Sequence, residues 1–385
     1  MKSGPTLDDL VAVIIETCRA GLEPDALRAA VLPRLRKAVP VDAVWWATVD
    51  PATLLYTHAY REELPSDSGP YFVENEFLRD DVNKWTELAH DRSGVRTLAT
   101  ATDGMLARSP RYRDIFEPLG LADELRAVFR ARGAVWGFMC LHRETGAVFT
   151  PQEQGFIKRI APHLAEGVRL GLLVQCAARD DLVESPGLIL LAPDNSVVGR
   201  NPAADQWLEE LGWQEAGAIP IEIHSLAARL RRAGASTSLS PLRVRTKSGR
   251  WIILQASWVS GDDRSLIAVI IQDATPGEVA PIVMSAYGLS EQERAVSGLV
   301  FQGQPTHAIS QHLHIAEHTV QDHLKSIFNK TGVRSRRELV ATVFRQRYLP
   351  RMKVGDQRSP SGYFAERAAT VSLVPINTRS GGDFQ

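Results

Sequence analysis

Hydrophobic positions along the chain change their spacing twice, which divides it into three predicted folded stretches. Up to about residue 173, helical spacing at both ends encloses the continuous or alternating apolar runs that are typical of strands. The pattern predicts two helices, two strands, a helical and loop-rich stretch, two more strands and a closing helix, over Leu7–Ala20, Asp25–Ala38, Ala43–Val49, Leu54–Ala59, Phe72–Phe116, Glu124–Arg132, Ala134–His142 and Pro151–Leu173. Thr150 is the expected cap of the closing helix.

From about residue 181 to 273 the spacing is mostly that of strands, interrupted by one helix that Asn201 and Pro202 open. Turn residues separate the apolar runs. The predicted strands are Leu188–Ala192, Val197–Arg200, Leu242–Thr246, Trp251–Ser257 and Ser265–Gln272. Pro276–Pro281 is expected to be a linker.

From Leu289 to Phe344 the spacing is helical throughout, and capping or turn residues divide it into four short helices. The predicted caps are Ser290 with Glu293, Thr306, and Ser335 with Glu338. The third helix ends before Gly332 and buries an apolar stripe formed by Val320, Leu324, Ile327 and Phe328. Two short helices joined by a tight turn, the second with a polar outer face, are the geometry that enters a DNA major groove.

This third stretch resembles the DNA-binding domain of the LuxR (GerE-type) family of bacterial transcriptional regulators. The resemblance covers this stretch alone, where the family pattern is met at fixed spacing by Leu289, Ser290, Glu293, Val296, Gly303, Ile309, Leu313, Ile315, Ala316, Thr319, Val320, His323, Leu324, Ile327, Lys330, Gly332, Val333, Ser335 and Arg336. It implies that double-stranded DNA is a partner and that the helix from Glu317 to Lys330 is the recognition helix.

Polar side chains on that helix and at the start of the preceding one are the expected DNA contacts. Glutamine can pair with adenine, and lysine with guanine or phosphate. The expected set is Thr306, His318, Thr319, Gln321, Asp322, Lys325, Asn329 and Lys330. Gln321 and Asp322 stand where the family often has lysine and a variable residue, and Asp322 would repel phosphate unless it accepts from cytosine N4. A merely solvated helix face is the alternative for each side chain.

A homodimer is expected because one recognition helix reads only a few base pairs, too few for specific binding in a genome. In the last helix, Leu339 and Val343 lie four residues apart and would form an exposed dimerisation patch, while Val340 and Phe344 face the domain core. The alternative is that this stripe packs within the module itself.

The two sheet-forming stretches resemble sensor domains. YRDIFEPLGLADELRAVF followed by GAVWGFMCLHRE resembles the GAF-like front ends of LuxR-type regulators, and LLAPDNSVVGRNPAADQWL with RTKSGRWIILQAS and VIIQDAT resembles a PAS domain. Such folds hold ligands between the sheet and a helical insert, so an unidentified small molecule is expected near Trp45, Tyr56, Trp85, Phe116 and Trp136. Plain core packing is the alternative for each of these aromatic side chains.

Composition and charge fit this interpretation. The 385-residue chain has a formal net charge of −1 and 44% hydrophobic residues, as is ordinary for a globular protein. Residues 285–351 carry nine Lys/Arg and five Asp/Glu, net +4 against −5 for the remainder, which suits a DNA-binding module on an acidic body but also lies within ordinary scatter. Three cysteines without paired spacing, and no run long enough for a signal peptide or membrane span, predict a cytoplasmic protein without membrane association.

No residue pattern indicates catalysis. The chain lacks GxxxxGK[ST] and G-x-S-x-G, and Asp8-Asp9 precede an apolar run, whereas the acid pair of a receiver domain follows its first strand. His314 and His318 lie four residues apart, but a turn separates them and no acid or thiol joins them with zinc spacing. We therefore expect a non-enzyme with no cofactor and no metal.

Together these patterns predict a multidomain α+β protein with two antiparallel-sheet sensor domains followed by an all-α four-helix domain. The expected bounds are 1–175 for the GAF-like domain, 181–275 for the PAS-like domain, 282–350 for the helix-turn-helix domain and 353–385 for a disordered tail. The expected function is transcriptional regulation controlled by a small molecule or partner, with RNA polymerase as a further candidate partner. The alternative is a sensory or scaffolding protein that acts through protein–protein contacts and has a weak or vestigial DNA-binding domain.

Overall fold

Five antiparallel strands form the first sheet of the computed structural model, which describes residues 6–65, 68–144, 148–174, 185–213, 219–234, 239–259, 266–342 and 374–375. The order β2-β1-β5-β4-β3 joins β1 (Ala43–Val49), β2 (Tyr56–Glu62), β3 (Val95–Thr97), β4 (Leu121–Ala131) and β5 (Ala134–Glu144). Arg132 and Gly133 both have positive φ, as the tight hairpin between β4 and β5 requires.

Helices cover both faces of this sheet. One face buries an aliphatic core under α1 (Leu7–Arg19), α2 (Pro24–Ala38) and α6 (Pro151–Val174). The other face carries the insert, which contains α3 (Ser68–Leu78), α4 (Trp85–Leu88), α5 (Leu98–Ala101) and tight turns at Leu106–Arg108, Tyr112–Phe116 and Glu117–Leu119. Thr150 caps α6 as predicted, because its hydroxyl accepts from the Glu153 N–H at 3.3 Å. The predicted order of helices and strands is confirmed, except that the insert also contains the edge strand β3, which was not predicted.

The second sheet repeats the strand order of the first. Its order β7-β6-β10-β9-β8 joins β6 (Gly187–Leu191), β7 (Val197–Arg200), β8 (Leu242–Arg245), β9 (Trp251–Val259) and β10 (Leu266–Asp273), and the short β11 (Val374–Pro375) pairs with the edge strand β7. Asn201 caps α7 (Pro202–Glu210) through the Ala204 N–H. Sequence analysis missed α8 (Ile221–Ala233), although its buried apolar residues follow helical spacing at Ile223, Leu226, Ala227 and Leu230.

α8 and β8 join the two sheet units. α8 packs against α3 and β2 of the first unit as well as against its own sheet. Arg229 donates to the carbonyl oxygen of Thr53, and Arg232 donates to that of Phe77 at 2.9 Å. A buried ion pair joins Arg243 to Asp50 across 3.1 Å. The two sheets therefore share an interface that includes charged and hydrogen-bonded groups.

The stretch predicted as a linker is helical, so that prediction is wrong. α9 (Pro276–Ala286) begins at a capping box formed by Thr275 and Glu278, and Pro276 occupies the first turn, where its missing N–H costs nothing. One side of α9 packs into the aliphatic core of the first unit through Val279, Ile282 and Val283. Ala280 and Met284 join the core of the C-terminal helices.

The C-terminal unit is a cluster of four helices, α10 (Glu291–Phe301), α11 (Thr306–Leu313), α12 (Glu317–Thr331) and α13 over residues 336–342. With the two antiparallel sheets, this confirms the predicted α+β class. In the part of the chain that the structure describes, no helix combines the length and apolar character needed to cross a bilayer. The predicted tail lies outside the described residues except for β11.

Candidate functional site

One buried carboxylate holds α12 against α10. Glu293 closes a capping box with Ser290, whose N–H donates to it at 2.6 Å. The Ser326 hydroxyl donates to the same carboxylate at 2.6 Å and the Lys330 ammonium group at 2.7 Å. Burial opposes ionisation, yet these donors lower the pKa of Glu293 to about 2. The charged carboxylate therefore fixes the rotation of α12 about its own axis.

A tight turn sets the start of α12. α11 ends at His314, which has a φ of 54°, a left-handed conformation that histidine tolerates better than bulkier residues. The Ile315 N–H then donates to the Ser310 carbonyl at 3.0 Å. Ala316 is the N-cap of α12 and offers no side-chain hydrogen bond to the first turn. The backbone N–H groups there can meet a phosphate.

The predicted inner and outer faces of α12 are confirmed. Val320, Leu324 and Ile327 are buried against α10 and α11. The outward-facing residues predicted for DNA contact, His318, Gln321, Asp322, Lys325 and Asn329, are solvent-exposed, whereas Thr319 is half-buried. Glu317 in the first turn is exposed as well. The exposed face thus offers an imidazole, two amides, a carboxylate and an ammonium group at the positions proposed for base and phosphate contact.

Thr306 links three helices at the edge of this face. It is the first residue of α11 rather than its cap, which corrects the sequence prediction, because Pro305 takes the capping position. Its hydroxyl accepts from the Arg336 guanidinium at 2.8 Å and from the Gln321 amide at 3.4 Å. Arg336 also donates to the Gln304 carbonyl at 3.2 Å. Thr306 therefore positions Gln321 relative to α11.

Two predicted site residues have other roles. The Lys330 ammonium group is bound by Glu293, so Lys330 orients α12 and is not a free cation for phosphate. Leu339 was expected to be exposed for dimerisation, but its side chain is 2% exposed and packs in the helical core. That prediction is wrong because α13 turns this side toward its own unit. Val343 lies outside the described residues.

A cleft of about 980 Å³ opens between the two sheet units, and it contains three of the five aromatic residues predicted for ligand contact. The rings of Trp45 and Tyr56 meet edge to face at 5.0 Å between centroids, and Trp45 stacks on Trp85 at 6.2 Å. Phe138 also stacks on Trp85, at 4.3 Å between centroids. These rings form an aromatic wall on the first unit.

The other two aromatic residues do not belong to this wall, which corrects the prediction. Phe116 packs against Phe72 at 5.6 Å in a separate apolar cluster under the insert. Trp136 is the extra residue of a β-bulge opposite Phe129 and Arg130, so its side chain leaves the face that Phe138 occupies and enters the aliphatic core. Strict alternation along β5 could not reveal this change of face.

Buried charges lie beneath the aromatic wall. Arg126 pairs with Glu76 at 2.8 Å and with Glu124 at 3.1 Å, while Arg111 pairs with Glu124 at 2.8 Å and with Asp81 at 3.3 Å. Although burial opposes ionisation, the two guanidinium groups lower the pKa of Glu124 to about 2. Sequence analysis predicted this strand but gave its charged residues no role, and the signal for the network was the run Asp123-Glu124-Leu125-Arg126, in which charged residues interrupt an apolar strand.

The second unit supplies the opposite wall of the cleft, including Ile221, Glu222, His224 and Lys247. Glu222 is buried, and desolvation raises its pKa to about 7. Burial acts in the opposite direction on His224, where it lowers the pKa to about 4 and so favours the neutral imidazole. A molecule bound in the cleft would contact residues of both units.

Among the described residues, one group has donor atoms suited to a metal ion: Glu124, Cys140 and His142 hold theirs within 4.8 Å of one another, all buried. The Glu124 oxygens already accept from Arg111 and Arg126. Spacing along the sequence could not reveal this group, because it forms only when β4 and β5 pair.

Comparison with known proteins identifies the C-terminal unit. Residues 288–343 match the family described as bacterial regulatory proteins, luxR family, so α10 to α13 form a LuxR-family helix-turn-helix domain. No curated protein matches the chain.

Solved structures give alignments of low score. A GAF domain from a phosphoenolpyruvate-protein phosphotransferase of Coxiella burnetii is 20% identical and covers 42% of this chain and 92% of its own, with a TM-score of 0.31. SdiA of Escherichia coli is 11% identical and covers 90% of this chain and 99% of its own, with a TM-score of 0.33. Likeness at these scores says nothing about function.

Proposed function

We propose that this chain, whose residues 288–343 belong to the LuxR family of bacterial regulatory proteins, is a transcriptional regulator that binds duplex DNA through α12 and responds to a small molecule or partner acting on its N-terminal units. The observation that carries the proposal is the polar outer face of α12 opposite the buried stripe formed by Val320, Leu324 and Ile327. In this proposal Gln321 would read adenine, and Lys325, one turn further on, would meet guanine or phosphate.

The first turn of α12 supports a phosphate contact beside these side chains. Its backbone N–H groups and the positive end of the helix dipole favour an anion. Arg334 and Arg337 are exposed and flank the start of α13, so further cations lie near the same surface. The expected complex would combine backbone contacts that set position with side-chain contacts that set sequence.

The cleft between the sheet units supports the sensing half of the proposal. It is large, it is lined by stacked aromatic rings, and it has both charged and neutral polar groups on its walls. A ligand that prefers one arrangement of the two units would shift the population of that arrangement. α9 follows β10 directly and contacts both the first unit and the C-terminal helices, so it is suited to transmit the shift.

The regulator is proposed to act as a homodimer in the cytoplasm, with RNA polymerase as a further partner. The dimer requirement follows from the small number of base pairs that one helix reads. Because Leu339 is buried, the dimer surface must lie elsewhere than on that face of α13.

A second function, protein–protein scaffolding with a vestigial DNA domain, is favoured by the acidic residues of α12. Glu317 and Asp322 are both exposed on the helix that carries Lys325. Two carboxylates on the helix that would enter the groove would weaken the electrostatic attraction between the protein and the DNA phosphates.

The two functions are separated by selecting duplexes from a random pool with the full-length protein and measuring binding at several salt concentrations. Lys325→Ala should reduce the salt slope by about one unit if Lys325 meets phosphate, and Gln321→Ala should cost ~1–3 kcal/mol at one base pair only. Lys158→Ala, an exposed lysine on α6, is the matched control and should bind as the parent does. Failure to enrich any sequence, or unchanged binding by both α12 variants, favours scaffolding.

A further inference from the structure

Two potential metal ligands share one face of β5 beneath the aromatic wall. Cys140 and His142 are two residues apart, so their side chains point the same way. Across the sheet Cys140 pairs with Arg126, and His142 pairs with Glu124. The thiol sulfur, an imidazole nitrogen and a Glu124 oxygen come within 4.8 Å of one another.

His142 is the observation that calls for a ligand. Its side chain is fully buried, and neither ring nitrogen has a hydrogen-bond partner within the described part of the chain. The rings of Phe116 and Phe72 lie 4.9 and 6.4 Å from the imidazole and offer it no acceptor. A buried polar group without a partner is costly, and an ion is one of the ordinary reasons for finding one.

Charge balance restricts the kind of ion. The hydrogen-bonded network around the site contains three acidic side chains and three basic ones, Glu76, Asp81 and Glu124 against Lys84, Arg111 and Arg126. The neighbouring Asp123 is also buried, and burial raises the pKa of its carboxyl, which favours its neutral form. Glu124 is already neutralised by the two arginines. If the Cys140 thiol releases its proton to solvent and binds a monovalent cation instead, the total buried charge is unchanged. A divalent cation would leave one uncompensated positive charge in a medium of low dielectric.

We propose that Cys140 and His142 bind one Cu(I) ion, with the thiolate sulfur and one imidazole nitrogen as ligands. Thiolate is a soft ligand that selects Cu(I), and imidazole accepts copper as well. Bonds of roughly 2.0–2.3 Å place two donors about 4.3 Å apart when they are in line and about 3.5 Å apart at a tetrahedral angle. The donor atoms lie within 4.8 Å of one another, which accommodates either arrangement, and the in-line one needs no third ligand from Glu124.

The ion would enter from the cleft. Cys140 lines the cleft together with Trp85 and Arg126, so its sulfur borders the space between the two units. Binding exchanges one thiol proton for one Cu(I) ion and involves no change of oxidation state. The site is separate from the proposed DNA contacts, and its existence does not depend on them.

The test uses full-length protein in which Cys18→Ala and Cys176→Ala leave Cys140 as the sole cysteine. Under anaerobic, reducing conditions it is titrated with Cu(I) in competition with bicinchoninate, and proton release is followed in weak buffer. The expected result is one ion bound and one proton released per chain. Cys140→Ala and His142→Phe, added separately, should each weaken binding more than ~100-fold.

Circular dichroism and thermal unfolding confirm that each variant is folded, and His142→Gln replaces the phenylalanine variant if that one is not. X-ray absorption of the copper-loaded parent should show one sulfur and one nitrogen neighbour. The proposal is overturned if the folded parent binds no Cu(I), if either ligand variant binds as the parent does, or if Zn(II) displaces Cu(I) at equal free concentration.

Discussion

Glu222 is a carboxyl group placed inside the interface of the two sheet units. Its side chain is 4% exposed, and it borders the cleft together with His58 of β2 and Lys247. These three residues also line a second pocket, where Asp25 of α2 joins them. Burial raises its pKa to about 7, and the neighbouring His58 only partly offsets that effect. At neutral pH the folded protein therefore keeps a large fraction of this carboxyl protonated, whereas the unfolded chain would have a carboxylate.

Replacing Glu222 should change how stability depends on pH. Because the folded pKa of about 7 lies above the unfolded value of 4.5, the contribution of Glu222 is fully present below pH 4.5 and is lost as pH rises to 7. Glu222→Gln has no carboxyl to ionise. Between pH 5 and pH 8 its free energy of unfolding should therefore rise by up to about 3 kcal/mol relative to that of the parent. Urea unfolding at both pH values measures the difference. The exposed Glu87→Gln should follow the parent, and an identical pH profile for Glu222→Gln would show that the carboxyl is not buried in solution.

The roles of single residues in the C-terminal unit could be predicted from the sequence only where they depend on local spacing. The exposed and buried faces of α12 follow from periodicity alone, because burial on a helix is decided by spacing. The role of Lys330 does not, since it depends on Glu293, which lies 37 positions earlier in the chain. Leu339 and Val340 differ by one position, and which of them enters the core depends on how α13 packs against α10.

At the scale of elements, α9 is the helix that connects the two sheet units to the C-terminal helices. Its prolines suggested a linker, but a proline in the first turn of a helix fits as well as one in a loop. What distinguishes the two is the Thr275–Glu278 capping box and the apolar residues that follow it. Some of those residues pack in the core of the first unit and others in the core of the C-terminal helices, so α9 contributes to both cores.

If α9 is part of both cores, truncating either side of it should destabilise the protein. Ile282→Ala removes a side chain from the core of the first unit and Met284→Ala one from the helical core, and each should cost about 2–4 kcal/mol. Denaturant unfolding followed by tryptophan fluorescence and circular dichroism measures both. Val148→Ala, at a position that is 59% exposed, should cost less than about 0.5 kcal/mol. Equal small effects at all three positions would mean that the segment behaves as a linker.

Across the whole molecule, the two sheets were predictable as separate units, and their strands follow from local apolar runs. Their mutual docking was not, because α8 has no distinctive motif and its partners Thr53 and Phe77 lie in the other unit. The cleft is a product of that docking, so its walls come from segments more than a hundred residues apart. Only the aromatic wall of the first unit could be anticipated from residue type.

The ion pair between Asp50 and Arg243 should hold the two units together. Asp50 is 1% exposed and accepts from both the guanidinium and the backbone N–H of Arg243, at 3.1 and 3.2 Å. Breaking a buried pair leaves an uncompensated charge, so Asp50→Asn should destabilise the protein by about 3–5 kcal/mol.

Asp50→Asn should also separate the unfolding of the units, because a weaker interface lets each sheet melt on its own. Calorimetry of the variant should then show two transitions where the parent shows one. A double-mutant cycle with Arg243→Met should give a coupling energy of about 1–3 kcal/mol, whereas the partly exposed pair of Arg36 and Glu62 should give less than about 1 kcal/mol. If the Asp50 and Arg243 variants are additive and the single transition persists, the units are held by the apolar packing of α8 alone.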